Sequence, residues 1–244
     1  MKWYSLSPLI LQKLIWIPTR FSLWFFGHLE IHGLENLSGI VNTQGKPTNV
    51  IFACNHASEL DPFFVPASLP FFSRFSPIFY ATREKSFYDR SGWKQLFYGG
   101  IFFRMWGGYP VFVGLKDYEK SLKEHIRIVN EGCSMCIFPE GRTTQDGRLQ
   151  AGKGGITYLA HKTGRPIIPV TISGTYGVTF WGFYMRKYYM SITYGKPVYV
   201  KDLEGSDQTN LDEVAKYKEM SHQLMNKIGA SYIMGPILRG RSQK

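Results

Sequence analysis

A short apolar run passes directly into a polar loop at Val50-Ile-Phe-Ala-Cys54-Asn55-His56-Ala-Ser-Glu-Leu-Asp61-Pro62. Five apolar residues bounded by polar ones are typical of a strand that is buried on both faces. Asp61 before Pro62 is a common way to begin a helix, with Asp as the N-cap and Pro at the first helical position. The stretch therefore predicts a buried strand over residues 50–54, a loop that carries His56, and a helix that begins at Asp61.

Similar apolar runs recur along the chain and alternate with helical segments. We predict strands at 50–54, 109–113, 135–138, 167–172 and 191–194, and helices at 62–68, 91–104, 117–130, 154–163 and about 210–227. Strands that alternate with helices are characteristic of α/β folds with a largely parallel sheet. The expected fold is a single α/β domain over residues 32–230, with a mainly parallel central sheet flanked by helices, followed by a basic tail over 231–244.

An apolar and aromatic segment precedes this domain at residues 1–31. Gln12, Lys13 and Arg20 interrupt it, so it lacks the run of about 18 apolar residues that a membrane span needs. It also shows no small-residue cleavage site of a secretory signal. Aromatic rings with a few cations suit the headgroup region of a bilayer. We predict two short membrane-associating helices, broken near Pro18 and lying in one leaflet. A helical hairpin packed on the core of the domain is the alternative.

The composition excludes disordered and disulfide-stabilised classes of protein. The 244 residues are 44% hydrophobic and 19% charged, which is enough apolar material to bury a core. The 29 Lys and Arg outnumber the 18 Asp and Glu, and the net charge of +11 predicts an anionic partner: nucleic acid, an anionic membrane surface or a phosphorylated substrate. Three cysteines cannot form a full disulfide framework, so a reducing compartment is expected.

His56 and Asp61 form the first candidate catalytic group. A carboxylate bonded to one imidazole nitrogen fixes the tautomer of the ring and leaves the other nitrogen free to accept a proton. Such a pair is suited to general-base catalysis on a hydroxyl group. The alternative is a loop histidine followed by an ordinary helix cap.

A second candidate group lies in Phe138-Pro-Glu140-Gly141-Arg142-Thr-Thr-Gln-Asp-Gly147, directly after a predicted strand. Glycine lets the backbone approach a ligand closely, and Arg142 offers a planar, two-pronged donor for phosphate. Glu140 would be costly if it were buried alone, so we expect it to meet backbone amides or a cation. Lys153 precedes a predicted helix whose free amides favour an anion. The alternative is a surface loop with two solvated cations.

Together these segments resemble the PlsC-like glycerolipid acyltransferases. That family combines an N-H-x4-D block, an F-P-E-G block further along the chain and a P-V-x-I strand after it. The corresponding segments of this chain are Asn55-His56 with Asp61, Phe138-Pro-Glu-Gly141, and Pro169-Val-Thr-Ile172. They stand in the order of the family, and the resemblance covers about residues 48–200.

The resemblance implies transfer of a fatty acyl group from a thioester, acyl-CoA or acyl carrier protein, to the free hydroxyl of a lysophospholipid. The acceptor in the family is usually 1-acylglycerol 3-phosphate, and the product is phosphatidic acid. His56 would be the general base, and Asp61 would orient and polarise it. Glu140, Gly141 and Arg142 would lie around the glycerol phosphate, with Lys153 as a further substrate-binding candidate. No metal and no other cofactor is expected.

The expected partners are the thioester donor, the lysophospholipid and a membrane surface, bound monotopically, and no nucleic acid. A basic protein with free thiols fits the cytoplasmic face of a membrane, where the lipids are anionic. Two alternatives stay open: the same chemistry on another lysolipid acceptor, and a non-catalytic basic module that binds membranes or nucleic acid.

The sequence departs from the family pattern in two places. Many members carry an Arg associated with the acceptor phosphate shortly after a Gly-x-x-Pro-Val turn, whereas the turn at 107–111 is followed by Phe-Val-Gly. Lys116, Arg142 or Lys153 would then have to supply the charge. In addition, Arg142 follows Gly141 directly, where many members have an intervening residue.

Two other features have less specific interpretations. The aromatic block between Phe63 and Phe112 predicts either an acyl-chain groove or ordinary core. Cys133 and Cys136 are not expected to hold a metal, because residues three apart on a strand face opposite sides. No other spacing of histidines or cysteines predicts a metal site.

Overall fold

The computed structural model describes residues 3–83, 101–112, 117–203 and 212–238. The strands in these ranges are β1 (Glu30–His32), β2 (Ile51–Cys54), β3 (Ile78–Thr82), β4 (Gly108–Pro110), β5 (Ser134–Ile137), β6 (Ile167–Ser173), β7 (Tyr188–Tyr189), β8 (Ser191–Tyr194) and β9 (Ile237–Leu238). The α-helices are α1 (Leu6–Phe25), α2 (Asp61–Ser68), α3 (Ile101–Trp106), α4 (Tyr118–Ser121), α5 (Lys123–Asn130), α6 (Gly155–Thr163), α7 (Phe180–Tyr184) and α8 (Glu213–Gly229).

Seven strands form the central sheet in the order β1-β8-β6-β2-β5-β3-β4. Strand β2 lies in the middle, where Ile51 pairs with Met135 of β5 on one side and with Ile167 of β6 on the other. Neighbouring strands are parallel except for β6 and β8, which are antiparallel. The predicted fold class, a mainly parallel sheet flanked by helices, is confirmed.

The two faces of the sheet are covered by different helices. Because successive strand residues point to opposite faces, Phe52 and Cys54 pack toward one cluster, and Ile51 and Ala53 toward the other. The first cluster includes residues of α1, α2 and α3, and the second those of α5, α6 and α8. All four residues of β2 are fully buried, which explains why this strand is an unbroken apolar run.

Helix α1 corrects the expectation of two short helices, because it is a single helix that continues through Pro18. Both of its halves are held to the same surface. In the first half, Gln12 Nε2 donates to the carbonyls of Ile78 (2.7 Å) and Trp106 (3.0 Å). In the second half, Arg20 Nη1 donates to the carbonyl of Ala67 (3.1 Å). These contacts outweigh the hydrogen bond that a proline removes from a helix.

The opposite side of α1 is apolar and exposed. Its residues recur at the spacing of one helix face, and we call them the α1 stripe: Leu6, Ile10, Leu14, Ile17, Phe21 and Trp24. One face of α1 therefore packs on the domain while the other presents apolar side chains to the surroundings. No helix within the described ranges combines the length and the apolar character that a membrane crossing requires.

Three strands of the central sheet lie where the sequence predicted either no strand or a strand with other bounds. Strand β1 spans the expected boundary between residues 31 and 32 and forms an edge of the sheet. Strand β3 runs through the aromatic block and is buried at Ile78, Phe79 and Tyr80, so this part of the block is core. Strand β4 ends at Pro110, and the rest of the predicted strand from residue 113 lies outside the described residues.

Candidate active site

The site residues, of which the sequence predicted His56 and Glu140, gather where parallel strands end. The loops after β2, β5, β6 and β3 carry His56, Glu140, Thr175 and Arg83, respectively. Because these four strands are mutually parallel, their carboxyl ends lie at one edge of the sheet. Functional groups of α/β proteins characteristically collect at this edge.

Asn55 anchors the first loop to the neighbouring strand. Its side chain is fully buried, its Nδ2 donates to the carbonyl of Ile172 (2.9 Å), and its Oδ1 accepts from the amide of Ile172 (2.7 Å). Both polar ends of the amide are thereby satisfied by one residue of β6. The following residue, His56, consequently starts from a fixed position.

The imidazole of His56 contacts the carboxylate that the sequence predicted. The distance from His56 Nδ1 to Asp61 Oδ2 is 3.0 Å. The plane of the ring stacks on Phe138, with 4.1 Å between ring centroids. The His56 side chain is 18% exposed and that of Asp61 is fully buried. The ring is therefore held by a carboxylate and an aromatic face while it keeps access to the surface.

Asp61 differs from the helix cap that the sequence predicted. It is the first residue of α2, and its carboxylate does not cap that helix. Instead, Oδ2 also accepts the amides of Ala57 (2.7 Å) and Ser58 (2.8 Å), and Oδ1 accepts from Thr175 Oγ1 (3.3 Å). The carboxylate faces back into the loop, where it satisfies the buried amide of Ala57 and the partly buried amide of Ser58. The same contacts hold it against His56.

Glu140 meets two backbone amides, as expected for a buried carboxylate. Oε1 accepts from the amide of His56 and Oε2 from that of Gln150, both at 2.7 Å. Burial raises the pKa of the Glu140 carboxyl, and the two amides oppose that shift. Glu140 thus braces the His56 loop against the loop after β5, which joins the two candidate groups of the sequence into one site.

Three cations surround the backbone at Gly141. Arg83 Nε donates to the carbonyl of Gly141 (2.7 Å), and Lys153 lies against the glycine so closely that a Cβ there would be 2.9 Å from Nζ. Gly141 also has a left-handed φ of +71°, which favours glycine. Partial burial lowers the pKa of Lys153, and repulsion from Arg83 and Arg142 lowers it further. The mutual repulsion of three close cations makes this position favourable for an anion.

Arg83 and Thr175 are site residues that the sequence analysis missed, and Arg83 is the charged one. Arg83 directly follows the last residue of β3, and a charged residue at the end of a parallel strand is the signal by which it could have been predicted. Recognising it requires β3 to be recognised first. Arg142 and Lys153 are exposed at the same place. Lys116, the other candidate for the missing family arginine, lies outside the described residues.

The arrangement suits proton transfer beside an anion. His56 holds a carboxylate on Nδ1, which leaves Nε2 as the nitrogen for proton transfer. In the described part of the chain, no group of three or more His, Cys, Asp or Glu side chains is placed to hold a metal ion. Cys54 and Cys136 are buried, with their sulfur atoms 3.4 Å apart, and burial raises the pKa of the Cys54 thiol.

A family model described as "Acyltransferase" matches residues 28–173, more than half of the chain. The chain belongs to the acyltransferase family. This match covers the β2 loop, the β5 loop and strand β6. The site residues described above lie within it, apart from Thr175, which follows its end by two residues.

Curated relatives of this acyltransferase carry a consistent name. The chain is 28% identical over 205 residues to a 1-acyl-sn-glycerol-3-phosphate acyltransferase of Limnanthes alba, and the alignment covers 83% of this chain and 64% of that protein. It is 30% identical over 155 residues to 1-acyl-sn-glycerol-3-phosphate acyltransferase BAT2, chloroplastic, of Brassica napus, covering 63% and 40%. The chain spans less than two thirds of the length of these relatives.

A solved structure shares the fold. The 1-acyl-sn-glycerophosphate (LPA) acyltransferase PlsC from Thermotoga maritima superposes with a TM-score of 0.55 and 20% sequence identity, covering 97% of this chain and 81% of that one. The comparison thus covers nearly all of this chain.

Proposed function

We propose that this acyltransferase transfers a fatty acyl group from an acyl thioester to the free hydroxyl of a lysophospholipid. The proposed acceptor is 1-acylglycerol 3-phosphate, and the proposed product is phosphatidic acid. The names of the curated relatives support this acceptor. The observation that carries the proposal is the His56–Asp61 contact of 3.0 Å beside the cations at Gly141.

In the proposed reaction His56 acts as a general base. Nε2 takes the proton of the acceptor hydroxyl, and the oxygen attacks the carbonyl carbon of the thioester. Collapse of the tetrahedral adduct breaks the carbon–sulfur bond, and the imidazolium returns its proton to the leaving thiolate. Asp61 stabilises the imidazolium and keeps the ring in the tautomer that presents Nε2. A positioned base contributes about 10²- to 10⁴-fold in rate.

The proposed role of Arg83, Arg142 and Lys153 is to bind the acceptor phosphate. Arginine forms paired hydrogen bonds with phosphate oxygens, and lysine adds a point charge. Gly141 leaves room for Lys153, while the Glu140 side chain is occupied by the two amides that hold the loop. The phosphate would then be bound at the loop after β5, which Glu140 joins to the loop that carries His56. An acceptor whose hydroxyl is close to its phosphate could then reach both.

We further propose that the protein works on the cytoplasmic face of a membrane, with acyl-CoA or acyl carrier protein as donor. The α1 stripe supplies an exposed apolar face, and the net charge of +11 favours anionic lipid. The acceptor is itself a lipid, so an enzyme docked at the surface would receive it from the bilayer.

The function is tested with the purified full chain, one acyl-CoA and a panel of lysolipid acceptors, by following free thiol release and acylated product. We expect 1-acylglycerol 3-phosphate to give the highest kcat/KM. His56→Ala should lower it by about 10²- to 10⁴-fold while the melting temperature stays unchanged. Higher kcat/KM with another lysolipid would reassign the acceptor. Full activity of His56→Ala would refute the mechanism, and no thiol release with any acceptor would refute the acyl-transfer function.

A further inference from the structure

The connection between β6 and β8 contains a short helix, α7, with an apolar exposed surface. Four large side chains of this turn face outward, and we call them the α7 tip: Phe180 (67% exposed), Trp181 (74%), Tyr184 (47%) and Met185 (66%). Scattered exposed apolar residues are normal, but a contiguous group of this size marks an interaction surface. None of the sequence patterns assigned a role to this turn.

The α7 tip is an ordered part of the structure. Thr179 caps the helix by accepting the amide of Gly182 at 3.1 Å, and the hydroxyl of Tyr188 lies 3.2 Å from Thr179 Oγ1. The base of the connection is closed by the pairing of β7 with β9. A Cβ on Gly174 would collide with the carbonyl oxygen of Tyr189, so the two ends of the connection, at residues 174 and 189, are in close contact, and we call them the stem. A stem this tight presents the apolar side chains in a fixed direction.

The tip is continuous with the end of α1. The ring of Phe26, which follows α1, lies 4.9 Å from that of Tyr184 and 5.8 Å from that of Phe183, measured between centroids. Phe25 contacts the ring of Phe26, and the guanidinium of Arg186 lies over the Phe25 ring, 4.4 Å from its centroid. The α1 stripe and the α7 tip therefore meet at one surface, although they come from opposite parts of the chain.

Cations border this surface. Arg186 and Lys187 directly follow the tip, and Lys187 is exposed. Aromatic rings next to cations match the boundary between acyl chains and anionic headgroups. A protein partner would need a groove complementary to these four side chains, whereas a bilayer accepts exposed rings that project from a rigid stem.

We propose that the α7 tip is a second lipid-docking element, which inserts its side chains into a bilayer that contains anionic phospholipid. Together with the α1 stripe it would dock the domain at two places and so fix its orientation. The stem also leads to the site, because Thr175, two residues after the end of β6, contacts Asp61. The proposal depends on the acyltransferase function only for the bilayer being the source of the acceptor.

The test uses the full chain with vesicles of phosphatidylcholine, with and without phosphatidylglycerol, separated by flotation. The variant combines Phe180→Ser, Trp181→Ser and Met185→Ser. The control is Val214→Ser, which removes another exposed apolar side chain on α8, a helix of the opposite layer. We expect the triple variant to partition onto phosphatidylglycerol vesicles at least about tenfold more weakly than the control. Equal partition of the two would overturn the proposal.

Insertion is measured separately with Trp181→Phe, which keeps an aromatic ring. Brominated phosphatidylcholine should quench more fluorescence in the unmodified protein than in this variant, and the difference reports Trp181 in the acyl region. Identical quenching would exclude insertion of the tip, even if the triple variant failed to fold. A triple variant that changes from dimer to monomer in sedimentation, with partition unchanged, would instead assign the tip to a second copy of the chain.

Activity separates this proposal from the function. With a short-chain, monomeric 1-acylglycerol 3-phosphate, the triple variant should keep its kcat/KM, whereas turnover of vesicle-bound acceptor should fall with partition. Loss of activity on the monomeric acceptor would mean that the tip is structural and would overturn the docking role. A protein inactive on every acceptor that still binds vesicles through the tip would refute the function and retain this inference.

Discussion

Two imidazoles of this molecule show opposite environments. His56 lies at the carboxyl edge of the sheet, 3.0 Å from a buried carboxylate, with its side chain 18% exposed. His125 lies on α5, fully buried, and its Nε2 is 3.1 Å from the carbonyl oxygen of Tyr109. Burial lowers the pKa of His125 to about 4. A carbonyl contact compensates this desolvation only in part.

The difference shows what turns a histidine into a base. Desolvation disfavours the charged ring, so a buried imidazole without a carboxylate stays neutral and cannot hold a proton near neutral pH. A carboxylate neighbour and an open side let the ring take a proton and release it. The comparison supports the proposed catalytic role of His56, whereas His125 is a residue of the core.

The largest expected effect comes from substituting each of the two histidines separately and comparing the variants. His56→Ala should lower kcat/KM by about 10²- to 10⁴-fold, because the general base is removed. His125→Gln should leave kcat/KM unchanged, because its amide can still donate to the Tyr109 carbonyl. Thiol-release kinetics of both variants check this. A large loss of activity in His125→Gln with an unchanged melting temperature would break the comparison.

The next effect concerns stability in acid. The folded-state pKa of His125 lies below its unfolded value of 6.5, so its contribution to stability is complete above pH 6.5 and is lost as the pH falls toward 4. The loss amounts to at most about 3 kcal/mol. Denaturant unfolding between these pH values should therefore show a shallower decline for His125→Gln than for the unmodified protein. Parallel curves for the two proteins would contradict the neutral, buried state of His125.

Asp61→Asn sharpens the role of the carboxylate. The variant keeps an oxygen for the loop amides but loses the charge that stabilises the His56 imidazolium. We expect kcat/KM to fall by about 10²-fold. Asp146→Asn is the matched control, since this exposed carboxylate also accepts a backbone amide, that of Arg148 at 3.0 Å. If both variants lost activity equally, loop stability rather than charge would explain the effect.

The smallest effect tests the cations. Arg142→Gln and Lys153→Gln should each raise the KM for 1-acylglycerol 3-phosphate about tenfold with little change in kcat, because one charge-assisted hydrogen bond to phosphate is lost. The control variant is Arg148→Gln, an exposed arginine of the same loop. Steady-state kinetics with the neutral acceptor 1-acylglycerol should show no such change. Equal losses on both acceptors would remove phosphate recognition from these residues.

Local patterns predicted the buried strands well, because a strand covered on both faces must be apolar throughout. They located β2, β5 and β6 to within one residue at each end, and they also located β8, in which buried and half-buried residues alternate. They failed for β3, because its short apolar run cannot be distinguished from the apolar and aromatic residues on either side of it. They also failed at Pro18, because contacts of Gln12 and Arg20 with distant carbonyls hold α1 together.

The candidate site divides in the same way. His56 and Asp61 are five residues apart and meet across a single loop, so their order along the chain was sufficient to predict their contact. Arg83 and Lys153 meet at Gly141 because β3 and β5 are parallel neighbours, and strand order leaves no trace in a local pattern. The residues of the proposed chemistry are neighbours in the chain and could be predicted from it, whereas the proposed anion site depends on which strands lie side by side.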